Sequence, residues 1–286
     1  MSRFSQVSTR LMTAWLLAAS LLIGTSSAAA QSLPVQVSVS GKTATASIGL
    51  PGQPMADMTL TFSDARNLKA SNLGISAQLV SVTDPDLLSR LSDPQLVQLL
   101  STLPLLITVE PPAASGLSLD RTVRVEVHTH ALPYSAGSPF RLFKAPQGGM
   151  FRDITDEIAP GSVRARGTTS GFSQFLVLAD LRETGTVITE KFDWLRARVN
   201  GLPSSVKAGY AANLDAAEAA CAAGNHADAL VALDTIRANA SAHAGNELSQ
   251  TWNAGDAETA VNQAGGLMAG VATLRYSIEF LRDYGQ

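Results

Sequence analysis

The stretch VRVEVHTHALPY, residues 123–134, sets two histidines one residue apart, His128 and His130, on either side of Thr129. A His-x-His pair on one strand face can give a zinc ion two of its ligands, with the third coming from elsewhere in the fold. Alternation decides where the pair points. Val123, Val125, Val127 and Thr129 share one face of a strand, and Arg124, Glu126, His128 and His130 share the other. A face holding a cation, an anion and two imidazoles is the wet side of an amphipathic strand. Its side chains project about 7 Å apart, and Tyr134 follows just past the strand, where its ring can stack on a sugar or pack against a partner. The expectation is a solvated face that doubles as a candidate binding surface, made of Arg124, Glu126, His128, His130 and Tyr134. Contact through it would be weak and pH-sensitive, because imidazoles of ordinary pKa near 6.5 gain charge below neutrality. No metal is assigned. The other histidines, His226 and His243, fall in a different half of the chain, and no Cys-x-x-Cys or His-Glu-x-x-His motif is present.

The remaining chemistry-bearing residues point to no reaction. GFSQF presents Ser173, but the second glycine of a nucleophile elbow is missing and a strand pattern follows where a helix is needed. FRDITDEI offers Asp153, Asp156 and Glu157; their spacing fits no EF-hand loop, and the segment reads as a polar turn between strands. Cys221 is the only cysteine, so no internal disulfide can form, and its alanine-rich surroundings suit a small buried residue. The glycine pairs match no phosphate-binding pattern. No catalytic residue and no cofactor is assigned.

Two textures position these residues. From Gln31 to Asp180 the pattern is mostly short and alternating, as in Val35, Val37 and Val39, in Met58, Leu60 and Phe62, in Val80 with Val82, and in Ile107 with Val109. Period two between turn residues means half-buried strands, and about seven of them predict an immunoglobulin-like antiparallel β-sandwich over residues 31–182. One insertion differs. In TDPDLLSRLSDPQLVQLLSTLP, leucines at spacings of three and four follow two Asp-Pro pairs, predicting two short helices near residues 84–103. From Thr184 onward the period becomes helical: Ile188, Phe192, Leu195 and Val199 form one stripe, and Leu267, Val271, Leu274, Ile278 and Leu281 another. Such stripes need partners, so residues 185–286 are expected to form an antiparallel helical bundle. The fold class is α+β, in two domains.

The N-terminus gives an address. Arg3 and Arg10 precede the apolar run LMTAWLLAASLLIG, no acid occurs before Asp57, and Ala28 and Ala30 have the small-x-small spacing of a signal-peptidase site. Residues 1–30 are expected to be a signal peptide, which exports the chain to the periplasm or outside. No later apolar stretch approaches the roughly 18 residues of a membrane span. Acidic residues outnumber basic ones, 24 to 21, and removing the leader with its two arginines widens the gap. Without basic runs or stripes, nucleic acid is not a partner.

Two stretches carry resemblances. SPFRLFKAPQGGMFRDITDEIAPGSVRARGTTSGFSQFLVLADLR, residues 138–182, resembles the closing strands of bacterial cell-surface β-sandwiches, which run from a D-T turn through a glycine-rich strand to a final F-S-x-F strand. With the helical half, the chain resembles an uncharacterised family of exported two-domain proteins of Gram-negative bacteria. NLDAAEAACAAGNHADALVALDTIRANASAHAGNELS, residues 213–249, is similar to the FIMAH extracellular module in its Gly224-Asn225 turn and the following Ala229 and Leu233, although Thr235-Ile236 stands where that module has Phe-Ile. The similarity to the FIMAH module implies an adhesion or scaffolding accessory; the other resemblance implies no activity. The expected function is a non-catalytic exported protein with a binding, adhesion or structural role in the periplasm or at the cell surface, its partner an envelope protein or glycan. The alternative is a hydrolase whose site is assembled from distant residues.

Overall fold

The structure, a computed structural model, describes residues 30–256 and 261–285. The expected signal peptide lies, but for Ala30, outside the described residues. Among the described residues, fourteen strands form two sheets of seven, and every pairing within the sheets is antiparallel. Sheet I runs β1 (Gln31–Leu33), β5 (Ile75–Leu79), β7 (Leu105–Val109), β13 (Gln174–Asp180), β9 (Phe140–Ala145), β10 (Arg152–Asp153), with β6 (Val97–Leu99) also on β13. Sheet II runs β11 (Thr155–Ala159), β12 (Ser162–Thr169), β8 (Ser118–Pro133), β4 (Gln53–Arg66), β3 (Thr43–Leu50), β2 (Val35–Ser40), with β14 (Thr251–Asn253) on β8. The strand count exceeds the expected one partly because β1, β6, β10 and β14 are two or three residues long. An alternation that short leaves no trace in sequence.

The apolar faces of both sheets meet in one cluster. Met58, Leu60, Val125 and Val163 come from sheet II, and Ile107, Leu142, Phe175 and Val177 from sheet I. Burying each large side chain contributes about 1.5–3 kcal/mol, and a one-residue slip would turn a strand's whole apolar set to water. That penalty fixes the register. β13 is buried at all seven positions. Phe175 and Val177 enter the shared cluster, whereas Leu176 and Leu178 face a second cluster with Leu87, Leu91, Phe143 and Phe151.

Leu87, Leu88, Leu91 and Leu99 of the insertion belong to that second cluster, so this part of the segment covers the far side of sheet I, while Leu100 and Leu103 turn to the shared cluster. Only its first predicted helix forms: α2 (Pro85–Leu88) follows the single turn α1 (Ala70–Leu73), and the Asp84 side chain accepts hydrogen bonds from the N–H groups of Asp86 and Leu87. Asp93 makes the same turn, accepting from Gln95 and Leu96 N–H. The chain then enters β6 and pairs Val97, Gln98 and Leu99 with Asp180, Ala179 and Leu178. The second predicted helix is therefore corrected to a turn and a strand. An Asp-Pro cap sets one turn; beyond it, the open backbone edge of β13 draws the chain into a strand. The strand expected to reach Val80 and Val82 stops at Leu79.

The polar-turn reading of FRDITDEI is corrected too. Arg152–Asp153 lies in sheet I and Thr155–Ala159 in sheet II, with Ile154 buried between them where the chain crosses over.

Beyond β13 come four long helices: α3 (Thr184–Asn200), α4 (Ser204–Ala222), α5 (His226–His243) and α6 (Gln263–Tyr284). Phe192, Leu195, Leu214, Leu233, Leu274 and Ile278 bring all four stripes into one cluster. α3 packs on α4 and α6, and α5 on α4 and α6. Gly224, at φ 76°, takes the left-handed conformation that ends α4. Cys221 is half-buried against the helical cluster, and burial pushes its thiol pKa up. Among the described residues, no helix is long and apolar enough to cross a membrane.

The helices are tied to the sheets. α6 lies against β8, β11 and β12. Arg141 of β9 stacks 4.3 Å from the ring centre of Phe280 on α6. Lys191 of α3 is buried, with Nζ donating to Asp153 Oδ2 at 2.6 Å, to Ser277 Oγ at 2.8 Å and to the Thr273 carbonyl at 3.2 Å. Arg182, just past β13, donates to Asp180, to Glu190 of α3 and to Ser92.

Candidate functional site

Three neighbouring strands of sheet II place the expected binding residues in rows. Register sets Asp57 of β4, His128 of β8 and Arg164 of β12 abreast. Thr59, Glu126 and Arg166 form the next row, and Thr61, Arg124 and Thr168 the one after. All stand on the face opposite the shared cluster, because their neighbours Met58, Leu60, Val123, Val125, Val127, Val163 and Ala165 fill it. The wet face read from alternation in β8 thus extends over three strands.

The charges of these rows pair with one another and with Asp156 and Glu157 of β11. Glu126 accepts from Arg164 at 3.1 Å and from Arg166 at 2.5 Å. Burial would raise its carboxyl pKa, but the two guanidinium groups outweigh burial and hold it below the usual range. Arg166 also donates to Glu157 at 2.6 Å, and Arg124 donates to the other oxygen of Glu157 while lying 3.7 Å from Asp156. Asp156 goes the other way: burial outweighs the hydrogen bond from Thr168 and the nearby Arg124, and its carboxyl is pushed up.

The row of Asp57 is different. Asp57 Oδ2 lies 2.9 Å from His130 Nε2 and 4.0 Å from His128 Nδ1. The two imidazole centroids are 4.5 Å apart, and one ligating atom from each of Asp57, His128 and His130 falls within 4.8 Å of the others. The far nitrogen of His128, Nε2, is 2.7 Å from Ser162 Oγ. Burial, then Arg164 and His130, lower the His128 pKa against the opposing pull of Asp57 and Glu126. Asp57 and His130 keep side-chain exposures of 37% and 36%, against 17% for His128, so the cluster opens to solvent on one side.

Tyr134 does not join this face. It packs against the shared apolar cluster and lines a cavity beside α6 with Tyr276, Phe280 and Tyr284. The Ser173 hydroxyl donates to the Phe172 carbonyl, and no histidine lines the cavity around it among the described residues. Asp153 is sequestered by Lys191, away from the outer face.

Residues 18–282 match the family described as a family of unknown function, DUF6689. The chain belongs to that family. No curated protein and no solved structure matches it. The DUF6689 match runs from before β1 into α6, so the sheets and the four long helices lie within one family unit.

Sequence reasoning missed two members of the cluster in this DUF6689 chain, Asp57 and Ser162. Alternation in MADMTLTF already turns Asp57 to the wet face, and alternation in SVRARG does the same for Ser162. What alternation does not carry is register across strands. His128 meets its partners on β4 and β12 across long connections, in a register shifted by a bulge between Phe62 and Asp64.

Proposed function

We propose that the chain is an exported, non-catalytic binding protein of a Gram-negative envelope, acting in the periplasm or at the cell surface through the outer face of sheet II. In this reading the two sheets are an immunoglobulin-like sandwich, α3–α6 are an antiparallel bundle similar to the FIMAH module, and residues 1–30 are a signal peptide. One observation supports it above the others: ion pairs hold Arg124, Glu126, Glu157, Arg164 and Arg166 in place, leaving beside them an accessible Asp57–His128–His130 cluster. A polar surface already ordered before contact loses little conformational freedom on binding. The groove that includes Asp57 and His128, of about 570 Å³, is lined on its other side by Gln36, Ser38, Thr45, Ser47 and Thr59, with Glu126 and Arg164 at its charged end. Amides and hydroxyls in a row suit a hydroxyl-rich ligand, so an envelope glycan is the favoured partner.

The test is a glycan array probed with tag-free protein covering residues 31–286. Thr59→Arg, which sets a long charged side chain in the groove, is expected to weaken binding by about tenfold, the loss of roughly 1.4 kcal/mol. Equal binding by wild type and Thr59→Arg would refute the assignment of the face. The hydrolase alternative draws on the raised carboxyl of Asp156 beside Glu157. Turnover in a hydrolase panel that disappears in Asp156→Asn would replace the binding reading.

A further inference from the structure

We infer that Asp57, His128 and His130 form a binding site for one divalent transition-metal ion of the zinc class. The inference rests on the reading of this face as the functional surface, but the two can fail separately.

Donor chemistry points to the ion. Two imidazole nitrogens and one carboxylate oxygen suit zinc, nickel or copper, whereas magnesium and calcium call for oxygen alone. Geometry is close to what zinc needs. Bonds of about 2.0–2.2 Å in a tetrahedron separate neighbouring donors by roughly 3.3 Å. Here the carboxylate oxygen lies 2.9 Å from one ring nitrogen and 4.0 Å from the other. Side-chain rotations of less than about an ångström equalise those distances around an ion, with no change in backbone.

Three features set this arrangement apart from a chance meeting of polar side chains. The ligands stand on two hydrogen-bonded strands, with Asp57 and His128 in register, so their Cβ positions are fixed by the sheet. His128 also has an orienting partner. Nε2 lies 2.7 Å from Ser162 Oγ, and the tautomer in which Nε2–H donates to that hydroxyl leaves the lone pair on Nδ1, the nitrogen that faces Asp57. A hydrogen bond from the non-ligating nitrogen is the usual support of a metal-bound histidine. Finally, Arg164, the cation abreast of His128, donates to Glu126 at 3.1 Å, which holds its guanidinium against a carboxylate. Binding would exchange the Asp57–His130 hydrogen bond for two metal bonds, with the His130 ring carrying its proton on Nδ1 when Nε2 ligates. Three protein ligands leave a fourth position open toward solvent, where water or a donor from the partner can bind.

The experiment is a calorimetric titration of tag-free residues 31–286 with zinc chloride, repeated with magnesium chloride. Zinc is expected to bind one ion per chain, and magnesium to give no binding heat. Asp57→Asn, His128→Ala and His130→Ala should each weaken zinc binding by at least about tenfold, and Ser162→Ala by about tenfold through loss of the orienting bond alone. His226→Asn, outside the cluster, should bind as wild type does. No stoichiometric zinc binding, or equal affinity in His130→Ala, would overturn the site. Repeating the glycan array with and without chelator separates the two readings. Zinc binding without any glycan contact at Thr59 removes the proposed function, and glycan binding without zinc removes only the metal.

Discussion

Replacing Lys191 with methionine is expected to cost about 3–5 kcal/mol of folding stability, the usual penalty for stranding one half of a buried ion pair. The Nζ of Lys191 uses all three donors, on Asp153, Ser277 and the Thr273 carbonyl. Asp153 is equally committed: its Oδ1 accepts from the backbone N–H and the hydroxyl of Thr155, at 2.7 Å and 2.6 Å. Methionine fills the volume but leaves Asp153 Oδ2 charged and buried. Adding Asp153→Asn removes that charge, keeps an acceptor for Thr155, and should restore most of the loss. Urea unfolding of the two single variants and the double variant at pH 7 measures the coupling; a Lys191→Met penalty under about 1 kcal/mol would refute it. The same pair gives a pH signature. Burial would raise the Asp153 carboxyl, but Lys191, Arg141 and the hydrogen bonds outweigh it and hold the pKa below the ordinary value. A carboxylate depressed in the folded state stabilises above its unfolded pKa, about 3.9, and that stability is lost as pH falls through the lower folded value. Wild type should therefore lose stability on acidification below about pH 4, and the double variant should lose less.

Gly265→Ala is expected to cost about 3 kcal/mol or more, the upper end for overpacking, because the obstacle is backbone. A Cβ at this position would lie 2.0 Å from the Arg121 carbonyl oxygen and 2.6 Å from Asn262 Oδ1. Those atoms seat α6 on the sheet. Asn262 accepts from Gly265 N–H at 2.8 Å and donates to the Arg121 carbonyl at 2.7 Å. Arg121 itself is held at φ 63°, the left-handed region, where β8 bends to meet the helix. The contrast is Gly209 in α4, where an added methyl meets nothing within 4 Å. Gly209→Ala should stabilise by about 0.4–1 kcal/mol by restricting the unfolded chain. Thermal unfolding of both variants decides it. Similar melting points would mean that α6 does not rest on β8 as described.

How far the sequence carries the fold differs by element. Stripes such as Ile188, Phe192, Leu195 and Val199 mark long helices because one face must be covered over several turns, and α3 ends at Asn200 as the Asn-Gly-Leu-Pro run requires. β8 is readable for the same reason at period two. β13 is harder, since burial on both faces erases alternation in QFLVLAD. The leucines after Asp93 read as helix because spacing alone cannot tell a helical stripe from side chains that part to different sides: Leu99 to the second cluster, Leu100 and Leu103 to the shared one. At the site, one strand's contribution is visible and its neighbours' are not. The direction of His128 and His130 follows from Val125 and Val127, but Asp57 lies about seventy residues away and meets them through a register that no local pattern encodes. Proximity in sequence puts Tyr134 on the wet face. The apolar side of its ring instead finds the shared core and α6.

Crystals of the protein covering residues 31–286, grown with one equivalent of zinc and measured on both sides of the zinc absorption edge, would locate the ion directly. The expected result is a single anomalous peak on the outer face of sheet II, about 2.0–2.2 Å from nitrogens of His128 and His130 and an oxygen of Asp57. A peak elsewhere, at His226 or His243, or a peak on this face touching only one of the three residues, would contradict it.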